Sequence, residues 1–130
     1  MKTSELTGTA LDWAVAKCEA ERLTVPYGGK SFLDGVVVHP DYNKFYPSTN
    51  WAQGGMIIER EKLGVWWAHH VVDAEGNEYG NHWYSETGLT DENADERHVC
   101  MEGETPLVAA MRCYVASKLG DEVEIPKELT

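Results

Sequence analysis

The chain has 130 residues, 42% hydrophobic and 25% charged, which predicts a single compact domain over residues 1–130 with a small core. No apolar run approaches the ~20 residues of a bilayer-spanning helix, so no membrane contact is expected. The formal net charge of −11 argues against direct duplex DNA binding, which requires phosphate neutralisation.

Half of the 22 acids follow Ser85, where four Lys or Arg stand. This excess serves solubility, or it mimics nucleic acid toward a basic partner. The start, "MKTSELTG", lacks the apolar segment of a secretion signal, and a cytoplasmic location is expected. Cys18, Cys100 and Cys113 show no metal-ligand spacing and are an odd number. Reduced, buried thiols are the expectation.

The segment "TGTALDWAVAKCEAERL" reads as a helix with Thr7 as N-cap. Leu11, Ala14, Val15 and Cys18 share one face, with Trp13 beside them toward the core. Asp12, Lys17, Glu19 and Arg22 are expected on the solvent side. "TVPYGG" stops the helix through Pro26 and the Gly28-Gly29 pair. A short strand is predicted over Val36–Val38, ended by Pro40, and "DYNKFYPSTN" reads as an aromatic loop.

Gly55–Glu61 reads as a strand with Ile57 toward the core. "LGVWWAHHVVD" is the strongest strand signal, with Val65, Trp67, His69 and Val71 on one face and Trp66, Ala68, His70 and Val72 on the other. Neither face is polar, so both are expected to be largely covered. "DAEGN" predicts a hairpin turn, with Gly76-Asn77 free to take positive φ, and "EYGNHWYSE" the returning strand. Residues Thr87–Glu104 are predicted to form a mobile acidic loop.

"TPLVAAMRCYVASKLG" carries the clearest helix signals: Thr105 as N-cap, Pro106 at the first helical position and Gly120 as the stop. Apolar residues surround it almost completely, which predicts a central helix packed on more than one side. Val123 and Ile125 can join the core edge. The expected fold is α+β: an antiparallel sheet of about four strands, with two helices packed on one face. Ala14, Ala109 and Ala110 would allow the helices to approach closely.

Three segments, "ELTGTALDWAVAKCE", "YPSTNWAQGGMIIERE" and "TPLVAAMRCYVASKLGDEVEIP", together resemble the NinX-like small accessory proteins of tailed phages and prophages. The third is the most specific. Met56 and Asn50 stand where that pattern has proline and aspartate. The resemblance implies a phage origin and an infected or lysogenic bacterial host. It implies no mechanism.

Seven residues are candidates for a ligand site. Arg112 interrupts an apolar helix and must be paired, with Asp12 or Glu59, or clamp an anion. Thr105 opens a helix whose amides favour an anion. Ser48 and Thr49, with Asn50, can cap a helical turn through Trp51–Gln53. Gly54-Gly55 would end that turn and admit close backbone approach. Trp51 is a core-corner ring or a platform for a flat ligand. Gln53 could then read a ring edge and Arg60 meet a phosphate.

The five histidines, His39, His69, His70, His82 and His98, offer no three-ligand zinc set, although His70 and His82 could meet across the hairpin. No metal and no cofactor are expected, and no catalytic motif is present. The favoured expectation is a non-catalytic protein that binds a small anionic or nucleotide-like ligand, with sequestration of a host defence signal as its use. The alternatives are an acidic, nucleic-acid-mimic-like interaction module that engages a host or phage protein through the acidic tail and loop, including Asp91–Glu96, and a nucleotide-acting enzyme. Five tryptophans also suggest a homo-oligomer.

Overall fold

The computed structural model describes residues 1–23, 32–33, 36–37, 45–87, 99–125 and 127–129. A 3-10 turn at Thr3–Glu5 precedes helix α1, Gly8–Leu23. Strands β1 (Phe32–Leu33) and β2 (Val36–Val37) form a small antiparallel ladder with Phe32 opposite Val37. The predicted end of that strand, Val38 to Pro40, lies outside the described residues. Helix α2 covers Trp51–Glu61. Strands β3 (Gly64–Ala68), β4 (Val71–Val72), β5 (Glu78–Tyr79), β6 (His82–Glu86) and β7 (Cys100–Gly103) follow. Helix α3 is Pro106–Leu119, and a 3-10 turn at Lys127–Leu129 closes the described chain.

The α+β class holds. The described residues contain three helices and a three-stranded antiparallel sheet in the order β3-β6-β7, with two two-stranded ladders. Helix α3 packs on all three strands of that sheet and on α1 and α2. It therefore lies between the sheet and the other helices. Its local signals act as the sequence predicts. The Thr105 hydroxyl accepts the Val108 N–H at 3.1 Å, a cap worth about 1 kcal/mol. Gly120 closes the helix at φ 88°, and its N–H reaches the Ala116 carbonyl. Leu107, Ala109, Ala110, Met111, Cys113, Tyr114, Val115 and Ala116 are all buried. Ala14 and Ala110 are both fully buried in the shared core, as close helix approach requires. Val123 is buried and Ile125 packs at the core edge.

The expected strand Gly55–Glu61 is instead the second half of α2. Asn50 is its N-cap, accepting the Gln53 N–H at 3.1 Å. Gly54 and Ile57 are buried three residues apart, which is helical spacing. Lys62, at φ 56°, terminates the helix, and the Leu63 N–H returns to the Ile58 carbonyl. The double glycine does not end a helical turn. It permits contact: a Cβ on Gly54 would lie 2.4 Å from the Pro47 carbonyl oxygen and 2.7 Å from Leu107 Cδ2.

The predicted long strand at "LGVWWAHHVVD" is broken at His69-His70. Gly80 (φ 82°) and Asn81 (φ 61°) bend the opposing chain there. A Cβ on Gly80 would sit 1.8 Å from the His69 carbonyl oxygen, so only glycine lets the strands cross at this bend. The β3–β6 ladder thus ends at Ala68 opposite His82, and β4–β5 forms a separate tip. Neither face is fully covered: Trp66, Trp67, Val71 and Val72 are all exposed. The tip turn at Asp73–Asn77 is as predicted, with Gly76 at φ 87° and the Asp73 carboxylate accepting from Glu75, Asn77 and Tyr79.

The acidic segment 87–104 is not loop throughout. Cys100–Gly103 is β7, pairing with β6 so that Trp83 faces Gly103. The Thr87 N–H donates to the Val99 carbonyl at 3.0 Å. Residues 88–98, including Asp91–Glu96, lie outside the described residues. Gly103 lets β7 lie against the first turn of α3, where a Cβ would be 2.5 Å from the Ala109 nitrogen.

The two adjacent glycines of α2 predict opposite responses to alanine. Gly55→Ala meets only Trp51 Cε3 at 3.8 Å and should stabilise by about 0.5–1 kcal/mol through helix propensity. Gly54→Ala should destabilise by about 2 kcal/mol, because overpacking outweighs the same propensity gain. Denaturant unfolding of the two variants measures the difference.

Candidate functional site

The turn before α2 is built by polar groups that brace one another. The Thr49 and Asn50 N–H groups both reach the Tyr46 carbonyl, at 3.1 and 3.0 Å. The Tyr46 N–H donates to Gln53 Oε1 at 2.7 Å. Gln53 is therefore a structural member of the turn. The Ser48 N–H donates to Asp12 Oδ1 at 2.9 Å. The Ser48 hydroxyl faces the same carboxylate without reaching full hydrogen-bond geometry. Asp12 is 6% exposed. Burial raises its carboxyl above the ordinary aspartate range, and the Ser48 groups act against that rise.

This turn presents Trp51, 58% exposed, on the first turn of α2. The first turn of α3 stands opposite. Ser48, Thr49 and Trp51 form one wall, and Thr105, Pro106, Leu107 and Val108 the other, around a cleft of about 240 Å³. Two helix N-termini therefore border one hollow. Pro106 has no N–H, and the Val108 and Ala109 N–H groups are bound by the Thr105 hydroxyl and carbonyl. The Leu107 N–H is the amide left in that turn.

Of the seven candidates, Ser48, Thr49, Trp51 and Thr105 come together at the cleft. Gln53, Arg60 and Arg112 do not line it. The Arg60 guanidinium grips Glu19 with both terminal nitrogens, Nη1 to Oε2 at 3.2 Å and Nη2 to Oε1. Its Nε donates to Glu61 at 2.9 Å, and its Nη2 to the Tyr114 hydroxyl at 3.2 Å. Burial would lower the Arg60 pKa, but the bonds to Glu19 and Glu61 outweigh it and raise the value. Tyr114 donates to Glu19 Oε1 at 2.7 Å; burial, then the Glu19 carboxylate, push its phenol upward. Glu61 is buried enough to rise, yet Arg60 and Lys118 pull it below the ordinary range.

Arg112 pairs with neither Asp12 nor Glu59. It donates to two backbone carbonyls, Nε to Leu6 and Nη1 to Glu102, both at 2.8 Å. It thus ties the segment before α1 and strand β7 to α3. Burial lowers its pKa, against Glu104 and Glu102 nearby.

Asp12 and Glu19, read from sequence as solvent-facing, are the residues that reasoning misplaced. Both are buried, Glu19 at 4% exposure. Their spacing of seven, two helical turns, was the available signal that they share one face. Trp13 is half-buried, with the Lys17 ammonium 5.6 Å from its ring. Cys18 and Cys113 are buried as expected, and burial pushes the Cys113 thiol up to about 12. Cys100 is exposed on β7, against expectation. His70 lies 3.5 Å from Glu78, and His82 stands opposite Ala68 in the ladder. His39 and His98 lie outside the described residues. Among the described residues no group of three or more His, Cys, Asp or Glu could hold a metal ion.

The molecule is thus a small α+β protein with a cleft between two helix starts, and none of its described helices is long and apolar enough to cross a membrane. The chain belongs to the phage protein family described as Bacteriophage P22, NinX, whose model matches residues 2–118. That match spans α1, α2 and nearly all of α3. No match was found among curated proteins.

The buried carboxylates yield two predictions. A folded-state pKa above the ordinary 3.8 means that, between the unfolded and the folded pKa, the folded chain binds more protons at Asp12 than the unfolded chain. Its contribution to stability is therefore full below pH 3.8 and falls as pH rises through the folded pKa. Asp12→Asn should remove that fall while keeping an acceptor for Ser48. Asp12→Ala should cost about 1–3 kcal/mol by orphaning the Ser48 N–H. Melting temperatures of both variants across pH 4–7 (about the range where carboxylates titrate) check this. At Tyr114, the Phe substitution should cost about 2 kcal/mol, the worth of a hydrogen bond to a charged group. Arg60→Ala should cost more, because Glu19 loses its counter-charge. Urea unfolding ranks the two.

Proposed function

We propose that this phage accessory protein is a non-catalytic binder of a flat, nucleobase-like ring held in the Trp51 cleft. The observation that carries the reading is the largely exposed indole of Trp51 facing the first turn of α3 across the cleft. A solvent-facing tryptophan beside Pro106, Leu107 and Val108 offers a stacking surface with apolar walls. The Thr49 and Thr105 side chains and the Leu107 N–H supply polar points for a ring edge, while the buried Ser48 hydroxyl is turned away toward Asp12. A cleft near 240 Å³ is smaller than the ~300–1,000 Å³ of drug-sized pockets, which favours one base or nucleoside over a longer ligand.

Magnitudes decide which part of a nucleotide would matter. Stacking of a base on an aromatic side chain is worth about 1–3 kcal/mol. A phosphate at an exposed helix N-terminus gains about 0.3–1 kcal/mol. The guanidiniums that could strengthen the phosphate, Arg60 and Arg112, are bonded to Glu19 and to backbone carbonyls. The ring therefore leads and the anion follows. Binding without chemistry would withdraw such a molecule from the host pool.

Tryptophan fluorescence and thermal shift against a panel of nucleobases, nucleosides and nucleotides test the reading. Nucleosides should bind nearly as well as their phosphates. Trp51→Ala should weaken binding roughly tenfold or more, the equivalent of ~1.4 kcal/mol. A panel that leaves both signals unmoved overturns it.

A further inference from the structure

Strand β3 is an edge. It pairs with β6 on one side and with no strand on the other among the described residues. The Asn81 N–H donates to the Ala68 carbonyl at 2.6 Å, so the backbone groups of Ala68 face β6. Backbone direction alternates along a strand. Gly64 and Trp66 therefore face β6 as well, while the N–H and C=O of Val65 and Trp67 point outward.

Natural edge strands are guarded by lysine, proline, a bulge or a covering element. Gly64–Ala68 contains neither lysine nor proline. Residues 63–72 carry no Asp, Glu, Lys or Arg in a chain that is 25% charged. Trp66 and Trp67 are exposed along this edge, and Val71, Val72 and Tyr79 continue it at the hairpin tip, each more than half exposed. Trp66 stacks on Tyr84 across the ladder, with centroids 5.9 Å apart and planes 18° from parallel.

We propose that this edge is a self-pairing surface, on which two copies of the chain join β3 to β3 antiparallel about a two-fold axis at Trp66. Val65 of one copy then lies opposite Trp67 of the other, and the outward backbone groups are satisfied in both. The two three-stranded sheets become one continuous sheet. The indoles of residue 66 fall side by side as a non-hydrogen-bonded pair, the closer kind of cross-strand neighbour. They extend the Trp66–Tyr84 stack across the axis.

Charge selects the occupant. Two copies that each carry −11 repel over most of their surfaces, and the uncharged strip is where they can meet without facing carboxylates. A basic foreign partner would be drawn to the acidic surface instead. A two-fold contact uses the same strip on both sides, so one sequence stretch is self-complementary.

Sedimentation velocity of the full chain over a concentration series is the test. The expected species is twice the 14.6 kDa chain mass. Trp66→Glu and Trp66→Lys each place like charges in contact across the axis, and each alone should sediment as a monomer with a native circular dichroism spectrum. An equimolar mixture of the two should recover the dimer. A wild-type chain that stays monomeric throughout overturns the proposal and leaves the edge to another occupant. So does a dimer that Trp66→Glu does not weaken, or a mixture that remains monomeric while both variants are folded.

Discussion

Two buried carboxylates on α1 position much of this molecule. Asp12 accepts the amide of Ser48 just before α2, and Glu19 holds the Arg60 guanidinium near the end of α2. Together they pin both ends of that helix. The attraction in such contacts is largely offset by desolvation, so their net stabilisation is small. The cost of any other placement is large, because a buried carboxylate without a partner is expensive. The pair therefore acts as a register device for α2 more than as a source of stability.

Tyr114 connects that device to the central helix. Its hydroxyl bonds Glu19 and receives Arg60, so α1, α2 and α3 meet at one polar junction. At the opposite end of α2, shape acts together with the Asp12–Ser48 bond. Gly54 allows the helix to lie against Pro47 and Leu107 where any Cβ would collide. With both ends located, the starts of α2 and α3 face each other and Trp51 overhangs the space between them. The cleft is thus a consequence of three helix contacts, two polar and one steric.

Some of this was legible in the residues. Thr105, Pro106 and Gly120 mark α3 because capping hydrogen bonds, a proline-tolerant first position and a positive-φ glycine stop are decided within one turn. The Asp73–Asn77 hairpin turn is equally local. Four of the seven site candidates share the cleft because Ser48, Thr49 and Trp51 are neighbours in sequence and Thr105 begins the most strongly signalled helix. The strand reading of Gly55–Glu61 failed because a short apolar pair fits either period, and two glycines resemble a breaker until the Pro47 carbonyl that Gly54 admits is known. The long strand reading failed at His69-His70 for a related reason: the bend is imposed by Gly80 and Asn81 on the opposing strand.

By itself, the sequence determined the α+β class, the central helix, the family and the ring at residue 51, all carried by signals that act over a few residues or by whole-chain pattern. Only the tertiary structure decided where the guanidiniums went. Arg60 and Arg112 look available in sequence because a long charged side chain advertises no partner. Glu19 and the Leu6 carbonyl, which hold them, lie 41 and 106 residues away in the chain, and they are chosen by which faces of α1 and α3 the packing turns inward.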